Sequence, residues 1–238
     1  EKAILQQLHT SVSIYDRSGI FKDFENTFAR YHNRQYALLS NSGTNAIYSM
    51  FEGINLQPGD EVICPVYTFF ATVSPLIHIG AIPIFCDSKD DGNIDPAKIE
   101  ALITHKTKAI IVTHMWGIPC DMDAIMDIAR RHRLAVIEDA AHASGTLYKR
   151  KKIGTHGSAV CFSFHPVKNL AMPTGGAITL NDKQSDEFKK NLNSRRWCGI
   201  SDRIGATYDV KQLGWNYYMN EFSAAIGLEQ LKKLDRLN

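Results

Sequence analysis

A solitary lysine, Lys168, is the residue whose position most favours chemistry. It follows the apolar segment 160–164 after a Pro-containing turn, and Thr-Gly-Gly (174–176) comes shortly afterwards. Most lysines are solvated surface charges, and the basic run at 149–152 is typical of that kind. A lysine between a buried strand and a glycine turn can be partly desolvated, which lowers its pKa and frees the amine as a nucleophile.

Two other groups of polar residues also follow apolar segments. The first, Asn-Ser-Gly-Thr (41–44), precedes a helical stretch, and amides at a helix N-terminus bind phosphate, although the same sequence is typical of a structural helix cap. The second is Asp139, which ends the segment Val-Ile-Glu-Asp, with His142 three residues later. A half-buried carboxylate there needs a positive partner, because an unpaired buried charge is costly. Asp139 is therefore either a strand-end cap or a functional acid.

A phosphate site, an acid and an amine are together the three anchors that pyridoxal phosphate requires. Its phosphate needs amide and hydroxyl donors, and its ring nitrogen needs a carboxylate that keeps it protonated. Its aldehyde needs an amine, with which it forms a Schiff base. Phe69 supplies a flat aromatic ring to cover the cofactor, although by itself it would be interpreted as core packing. The combination predicts a pyridoxal-phosphate site.

The elements that must position these residues alternate between apolar strands and amphipathic helices. Strands are expected at 36–40, 61–65, 82–86, 108–113, 134–137, 160–164 and 177–180. Helices are expected at about 44–53, 68–79, 95–104, 121–132 and 221–237. This alternation predicts an α/β fold of three layers, αβα, with a mostly parallel central sheet. Ligands bind outside the carboxyl ends of the strands in such sheets, where the polar groups above lie.

Composition excludes several other classes of protein. The formal net charge of +2 over 238 residues argues against a nucleic-acid or anionic-membrane surface. The uncharged stretch 62–86 contains prolines and a glycine that break a single spanning helix, so no membrane insertion is expected. Five cysteines without a C-x-x-C pair indicate buried free thiols, no metal site and a cytoplasmic location. The first residues lack a signal peptide, and the chain begins with Glu1, so a missing natural N-terminus is expected.

The sequence resembles the DegT/DnrJ/EryC1/StrS family of sugar aminotransferases, a branch of the fold-type I pyridoxal-phosphate enzymes. The resemblance runs from about Gly19 to the end, in order and with the expected spacing. The matching stretches include Asn-Ser-Gly-Thr-Asn-Ala (41–46), Tyr-Thr-Phe-Phe-Ala-Thr (67–72), Ile-Glu-Asp-Ala-Ala-His-Ala (137–143), Phe-Ser-Phe-His-Pro-Val-Lys-Asn (162–169) and Gly-Trp-Asn-Tyr-Tyr-Met-Asn-Glu (214–221).

The resemblance implies a role for each matching residue. Lys168 resembles the Schiff-base lysine, Asp139 the carboxylate on the pyridine nitrogen, and His142 the residue beside the ring. Phe69 matches the stacking aromatic, and the phosphate-binding positions are Gly43, Thr44 and Ser163. Asn216 resembles the asparagine that reaches the phosphate in the neighbouring subunit, which implies a homodimer with shared active sites.

The implied activity is the transfer of an amino group from glutamate or glutamine. The acceptor would be a nucleotide-linked keto-sugar or a keto-cyclitol. The implied organisation is an N-terminal segment, 1–18, and a cofactor-binding large domain, 19–238, whose last helix would lead to a C-terminal small domain that the chain lacks. Tyr218 stands where relatives often have Arg, and 171–174 lacks their acidic residue, so substrate contacts are expected to differ. Arg195 and Arg196 could meet the donor's carboxylate or could lie on the surface.

Three alternatives remain open from the sequence. A sugar dehydratase on the same scaffold would have histidine in place of Lys168, so transamination is favoured. A catalytically silent binding or regulatory relative would keep the fold without the reaction. A nicotinamide dehydrogenase shares the alternation of strands and helices, but no G-x-G-x-x-G follows a strand.

Overall fold

A computed structural model describes residues 1–10, 18–180, 186–204 and 206–238 of the chain. The α-helices in these ranges are α1 (Lys2–Thr10), α2 (Gly19–Tyr31), α3 (Gly43–Gly53), α4 (Ser74–Ile79), α5 (Pro96–Ile99), α6 (Met122–His132), α7 (Asp186–Arg195), α8 (Glu221–Leu231) and α9 (Leu234–Leu237). Short 3-10 turns lie at Phe70–Thr72, Glu100–Leu102 and Met115–Gly117.

The strands form one central sheet and two small hairpins. They are β1 (Ala37–Ser40), β2 (Glu61–Pro65), β3 (Ile82–Cys86), β4 (Thr107–Thr113), β5 (Ala135–Asp139), β6 (Leu147–Tyr148), β7 (Lys151–Lys152), β8 (Ala159–Ser163), β9 (Gly176–Leu180), β10 (Ile200–Ile204) and β11 (Thr207–Val210). The central sheet has the order β1-β9-β8-β5-β4-β2-β3. Neighbours from β8 to β3 are parallel, and β9 is antiparallel to both β1 and β8. The mostly parallel sheet expected from the sequence is confirmed.

Apolar side chains leave both faces of this sheet and pack against helices, which makes three layers. On β8, Phe162 packs in the cluster that contains Phe24 and Phe28 of α2, whereas its neighbour Cys161 faces the cluster that contains Met50 of α3. Successive residues of a strand point to opposite faces, so one strand contributes to both clusters. Helices thus cover both faces of the sheet, and its carboxyl edge remains free to carry a site.

The helix expected at 68–79 is wrong as a single element. The structure has the 3-10 turn Phe70–Thr72 and then α4, with Pro75 in the first turn of that helix. Proline has no amide hydrogen and favours the start of a helix, so the helical hydrogen bonds cannot run through it.

Two other expected helices also end early, and five of the seven expected strands have different bounds. The helix at 95–104 is α5 followed by a 3-10 turn, and the helix at 221–237 is divided into α8 and α9, where Lys233 makes an i→i−3 bond to Gln230. The strands expected at 36–40, 108–113, 134–137, 160–164 and 177–180 are Ala37–Ser40, Thr107–Thr113, Ala135–Asp139, Ala159–Ser163 and Gly176–Leu180. Helices α1, α2 and α7 were not predicted. Residues 11–17 of the expected N-terminal segment lie outside the described residues, and the division into segments stays a prediction.

Four of the five cysteines are buried free thiols, as expected, whereas Cys198 is exposed. The stretch 62–86 forms β2, a 3-10 turn, α4 and β3. In the described part of the chain, no helix is long and apolar enough to cross a membrane.

Candidate active site

A cavity of about 500 Å³ opens where the carboxyl ends of several sheet strands meet. Seven of the eight site residues expected from the sequence line it: Gly43, Thr44, Phe69, Asp139, His142, Ser163 and Lys168. They come from five separate segments of the chain. Such convergence at the carboxyl edge of a parallel sheet is the usual place of a ligand site in this class of fold.

One end of the cavity is formed by the turn from β1 into α3. The Ser42 hydroxyl caps α3 by accepting a hydrogen bond from the Asn45 amide at 3.1 Å. Gly43 lies against the end of β8: a Cβ atom added to it would lie 2.8 Å from the Cβ atom of Ser163. The glycine thus lets the first turn of an 11-residue helix approach the Ser163 hydroxyl. Amides at a helix N-terminus beside a hydroxyl make a site for an anion such as phosphate.

A buried acid lines the cavity: the Asp139 carboxylate at the end of β5 is only 4% exposed. Its Oδ1 atom accepts a hydrogen bond from the Ala141 amide at 3.0 Å, and its Oδ2 atom accepts one from the Thr72 hydroxyl at 2.7 Å. The Cys161 thiol also points at Oδ1, at 3.6 Å. A carboxylate so deeply buried favours a cationic partner in the cavity.

The Lys168 amine faces the same cavity from the turn after β8. The backbone amide of Lys168 donates to the carbonyl of His165 at 2.8 Å, which closes the turn that carries it. Burial lowers the pKa of Lys168, and the negative charge of Asp139 opposes that shift. A larger share of neutral amine makes Lys168 a better nucleophile than a solvated lysine.

His142 is oriented by the backbone of a strained turn. The amide of Trp116, which has the left-handed φ of 51°, donates to Nδ1 of His142 at 3.3 Å. The ring proton therefore lies on Nε2. Burial lowers the pKa of His142, and the Lys168 charge lowers it further, while Asp139 acts in the opposite direction. The lowered pKa favours the neutral ring, which can donate a hydrogen bond through Nε2.

The remaining predicted residues are an exposed lining residue and three residues outside the cavity lining. Phe69 lines the mouth of the cavity with 71% of its surface exposed. Asn216 is exposed and lies outside the cavity lining, and its carbonyl accepts a hydrogen bond from the Asn41 side chain. Arg195 forms an ion pair with Glu52 at 3.0 Å, and Arg196 forms one with Glu25 at 2.5 Å. These internal ion pairs match neither of the roles considered from the sequence, binding of the donor's carboxylate or exposure on the surface.

Sequence reasoning missed the threonine hydroxyls around Asp139. Thr68 and Thr72 fell inside the single helix expected at 68–79, where no particular role was assigned to them. Thr113 ends β4, and its position at a strand end was a signal that could have been used. Tyr67 also lines the cavity, and its ring packs 5.6 Å from that of Trp116, centroid to centroid.

A family model describing the DegT/DnrJ/EryC1/StrS aminotransferase family matches residues 5–238. The chain belongs to this family. The resemblance seen in the sequence is confirmed, and so are the fold-type I class and the family's cofactor, pyridoxal phosphate.

Three similar proteins illustrate this membership. The spore coat polysaccharide biosynthesis protein SpsC of Bacillus subtilis is 40% identical over 220 residues, covering 90% of this chain and 57% of SpsC. The GDP-perosamine synthase of Caulobacter vibrioides is 40% identical over 214 residues, covering 90% of this chain and 56% of the synthase. The solved structure of Helicobacter pylori PseC, an aminotransferase involved in pseudoaminic acid biosynthesis, superposes with a TM-score of 0.93 at 31% identity, covering 99% of this chain and 62% of PseC. The chain thus spans little more than half the length of the curated relatives.

The residues of the cavity fit pyridoxal phosphate. The close contact of Gly43 with Ser163 brings the amides of the first turn of α3 beside a hydroxyl, as a phosphate requires. A buried carboxylate and a half-buried amine face the same cavity, as the ring nitrogen and the aldehyde require. Gly43, Thr44 and Ser163 would hold the phosphate, Asp139 the ring nitrogen, and Lys168 the aldehyde carbon.

Proposed function

We propose that this protein is a pyridoxal-phosphate-dependent aminotransferase that moves an amino group from glutamate or glutamine to a keto-sugar, most suitably a nucleotide-linked one. The observation that carries the proposal is the pairing of a half-buried lysine and a buried carboxylate across one cavity. The similarity to a GDP-perosamine synthase and to PseC supports a sugar as the acceptor. A keto-cyclitol is the alternative acceptor.

The chain's own residues would bind and orient the cofactor. Gly43 and Thr44 would offer helix-terminal amides to the phosphate, and Ser163 would add a hydroxyl. Phe69 would cover the ring from the mouth of the cavity. His142, neutral with its proton on Nε2, would donate a hydrogen bond to an oxygen on the ring. Asp139 would accept a hydrogen bond from the ring N–H and keep that nitrogen protonated.

The bound cofactor supplies an aldehyde that joins covalently to amines and a ring that accepts electrons when a neighbouring carbon loses its proton. Lys168 would do the proton transfer. Its Nζ atom would take the proton from the α-carbon of the amino donor and later return a proton to the carbonyl carbon of the acceptor. The lowered pKa of Lys168 suits it to both steps, because a base and acid of moderate pKa can work near neutral pH.

The assembly and location are part of the same proposal. The side chain of Asn216 is exposed and outside its own cavity, which suits a residue that reaches the site of a partner subunit in a homodimer. We propose that residues 19–238 form the large domain and that the intact protein carries a further small domain. Buried free thiols support a cytoplasmic location, where thiols stay reduced.

The experiment replaces Lys168 with Ala in the full-length protein, with Lys151→Ala as the control, since Lys151 is an exposed lysine of the basic run. Lys168→Ala is expected to lose the visible absorbance of covalently bound cofactor and all turnover, whereas Lys151→Ala keeps both. A panel of nucleotide-linked keto-sugars and keto-cyclitols, with glutamate and glutamine as donors, identifies the substrates. Retained turnover in Lys168→Ala would overturn the assignment.

A further inference from the structure

Three threonine hydroxyls form a continuous chain that ends on Asp139. Thr72 Oγ1 lies 2.7 Å from Asp139 Oδ2, and Thr68 Oγ1 lies 2.8 Å from Thr72 Oγ1. Thr113 Oγ1 lies 2.9 Å from Thr68 Oγ1. Thr68 and Thr113 line the cavity, and Thr72 is fully buried behind them. The chain therefore leads from the cavity wall to the back of the carboxylate.

A carboxylate at Asp139 that accepts from Thr72 fixes the direction of every proton in this chain. An ionised carboxylate can only accept hydrogen bonds, and a hydroxyl has one proton to donate. Thr72 must then donate to Asp139 and accept from Thr68. Thr68 has in turn used its proton, so it accepts from Thr113. A proton on Oδ2 would require the Thr72 hydroxyl to turn away, because two donors cannot share one hydrogen bond.

Separate elements of the fold bring these hydroxyls together. Phe69 precedes the 3-10 turn between β2 and α4, and Thr72 ends it. The Thr72 amide donates a hydrogen bond to the Phe69 carbonyl at 3.0 Å. Thr113 is the register partner of Asp139 in the parallel pair β4–β5. One turn thus carries both an aromatic residue at the cavity mouth and the hydroxyl behind the acid.

We propose that Thr72, supported by Thr68 and Thr113, is a positioning residue that keeps Asp139 ionised and aligned with the ring nitrogen of the cofactor. The inference rests on the proposed function and deepens it. Hydrogen bonds to a charged acceptor are stronger than neutral ones, and hydroxyls in a row polarise one another. A valine would fill the space of Thr72 as well as threonine does, so packing alone does not call for the buried hydroxyl.

The experiment measures binding of two probes to the full-length protein: pyridoxal phosphate and its 1-deaza analogue, in which C–H replaces the ring nitrogen. The wild type is expected to prefer pyridoxal phosphate. Thr72→Val is expected to reduce that preference on the order of tenfold, about 1.4 kcal/mol, because the Asp139 charge loses its strongest donor. Thr72→Ser keeps the hydroxyl and should keep the preference.

Thr68→Val extends the measurement in case Thr72→Val does not fold. It breaks the chain one hydrogen bond farther from the acid and should give a smaller loss in the same direction. In an Asp139→Asn background, Thr72→Val should have no further effect on the preference. The pH at which the absorbance of bound cofactor changes should also move in Thr72→Val and stay in Thr72→Ser.

The outcomes separate this inference from the proposed function. If the wild type binds neither probe, the proposed function fails. If it prefers pyridoxal phosphate and Thr72→Val weakens both probes equally, Thr72 has a structural role only and the inference is overturned. An unchanged preference in both Thr72→Val and Thr68→Val overturns it as well.

Discussion

The Nη1 atom of Arg196 lies 2.5 Å from Oε1 of Glu25, and both side chains are buried. The same Oε1 atom accepts a hydrogen bond from the Leu39 amide at 3.0 Å, and Arg196 donates to the Leu39 carbonyl at 2.7 Å. One ion pair therefore ties α2 and the segment after α7 to the edge strand β1. Arg196 supports the strand that leads into the phosphate end of the cavity.

Loss of Glu25 is expected to destabilise the protein strongly. Glu25→Leu leaves the Arg196 guanidinium buried without its counter-charge, which costs about 3–5 kcal/mol of the free energy of unfolding. Lys22→Ala is the matched control, because Lys22 is an exposed second partner of Glu25 at 3.6 Å. That change should cost less than about 1 kcal/mol. Urea denaturation of the cofactor-free protein measures both, and equal costs would contradict the structural role of the buried pair.

The charge of Lys168 is expected to cost stability in the absence of cofactor. Burial lowers its pKa in the folded state below the value of about 10.4 in an unfolded chain. The folded protein therefore binds this proton less tightly than the unfolded chain does. The resulting loss in the free energy of unfolding is complete at pH values below the pKa of Lys168 in the folded state. It disappears as pH rises towards the unfolded value. Lys168→Met should therefore be more stable than the wild type at neutral pH, and the difference should vanish at alkaline pH. A difference that grows with pH would contradict this sign.

The pKa of His142 is expected to respond to its two charged neighbours in opposite directions. Burial is the main cause of its lowered pKa, but Lys168 adds to the lowering and Asp139 opposes it. Lys168→Met should raise the pKa of His142, and Asp139→Asn should lower it further, as followed by NMR of the imidazole ring across a pH titration. Lys151→Met is the control, since the charge of Lys151 acts on His156 instead. No movement in either active-site variant would mean that the three groups do not share one cavity.

Local patterns in the sequence predicted most of the sheet and most of the candidate site. Asp139 and Lys168 were found because each stands at or just past the end of an apolar strand, whereas Ser163 was named only through the resemblance to the family. Arg196 was misjudged because its partner lies 171 residues away, and no local pattern reports such a pair.

The predictions from the sequence missed helix α2 and the chain of threonine hydroxyls for other reasons. Helix α2 was overlooked although Phe21, Phe24 and Phe28 have helical spacing and are buried. Thr72 was missed because the break before Pro75 decides where its hydroxyl points, and helical periodicity alone does not show that break.

Gly43 is expected to be indispensable because of one close contact. A Cβ atom there would lie 2.8 Å from the Cβ atom of Ser163, closer than packed side chains approach. Gly43→Ala should push the first turn of α3 away from β8. Overpacking of this kind costs about 1–3 kcal/mol in the free energy of unfolding. Affinity for pyridoxal phosphate should fall with it, since the amides of that turn are the proposed phosphate donors.

A double-mutant cycle separates this clash from other effects of the substitution. Ser163→Gly removes the opposing Cβ atom, so Gly43→Ala should cost much less in that background than in the wild type. Unfolding of the cofactor-free protein is the right measurement, because Ser163→Gly also removes a hydroxyl proposed to bind phosphate. If Gly43→Ala costs the same in both backgrounds, the contact between α3 and β8 is not the reason for glycine at this position.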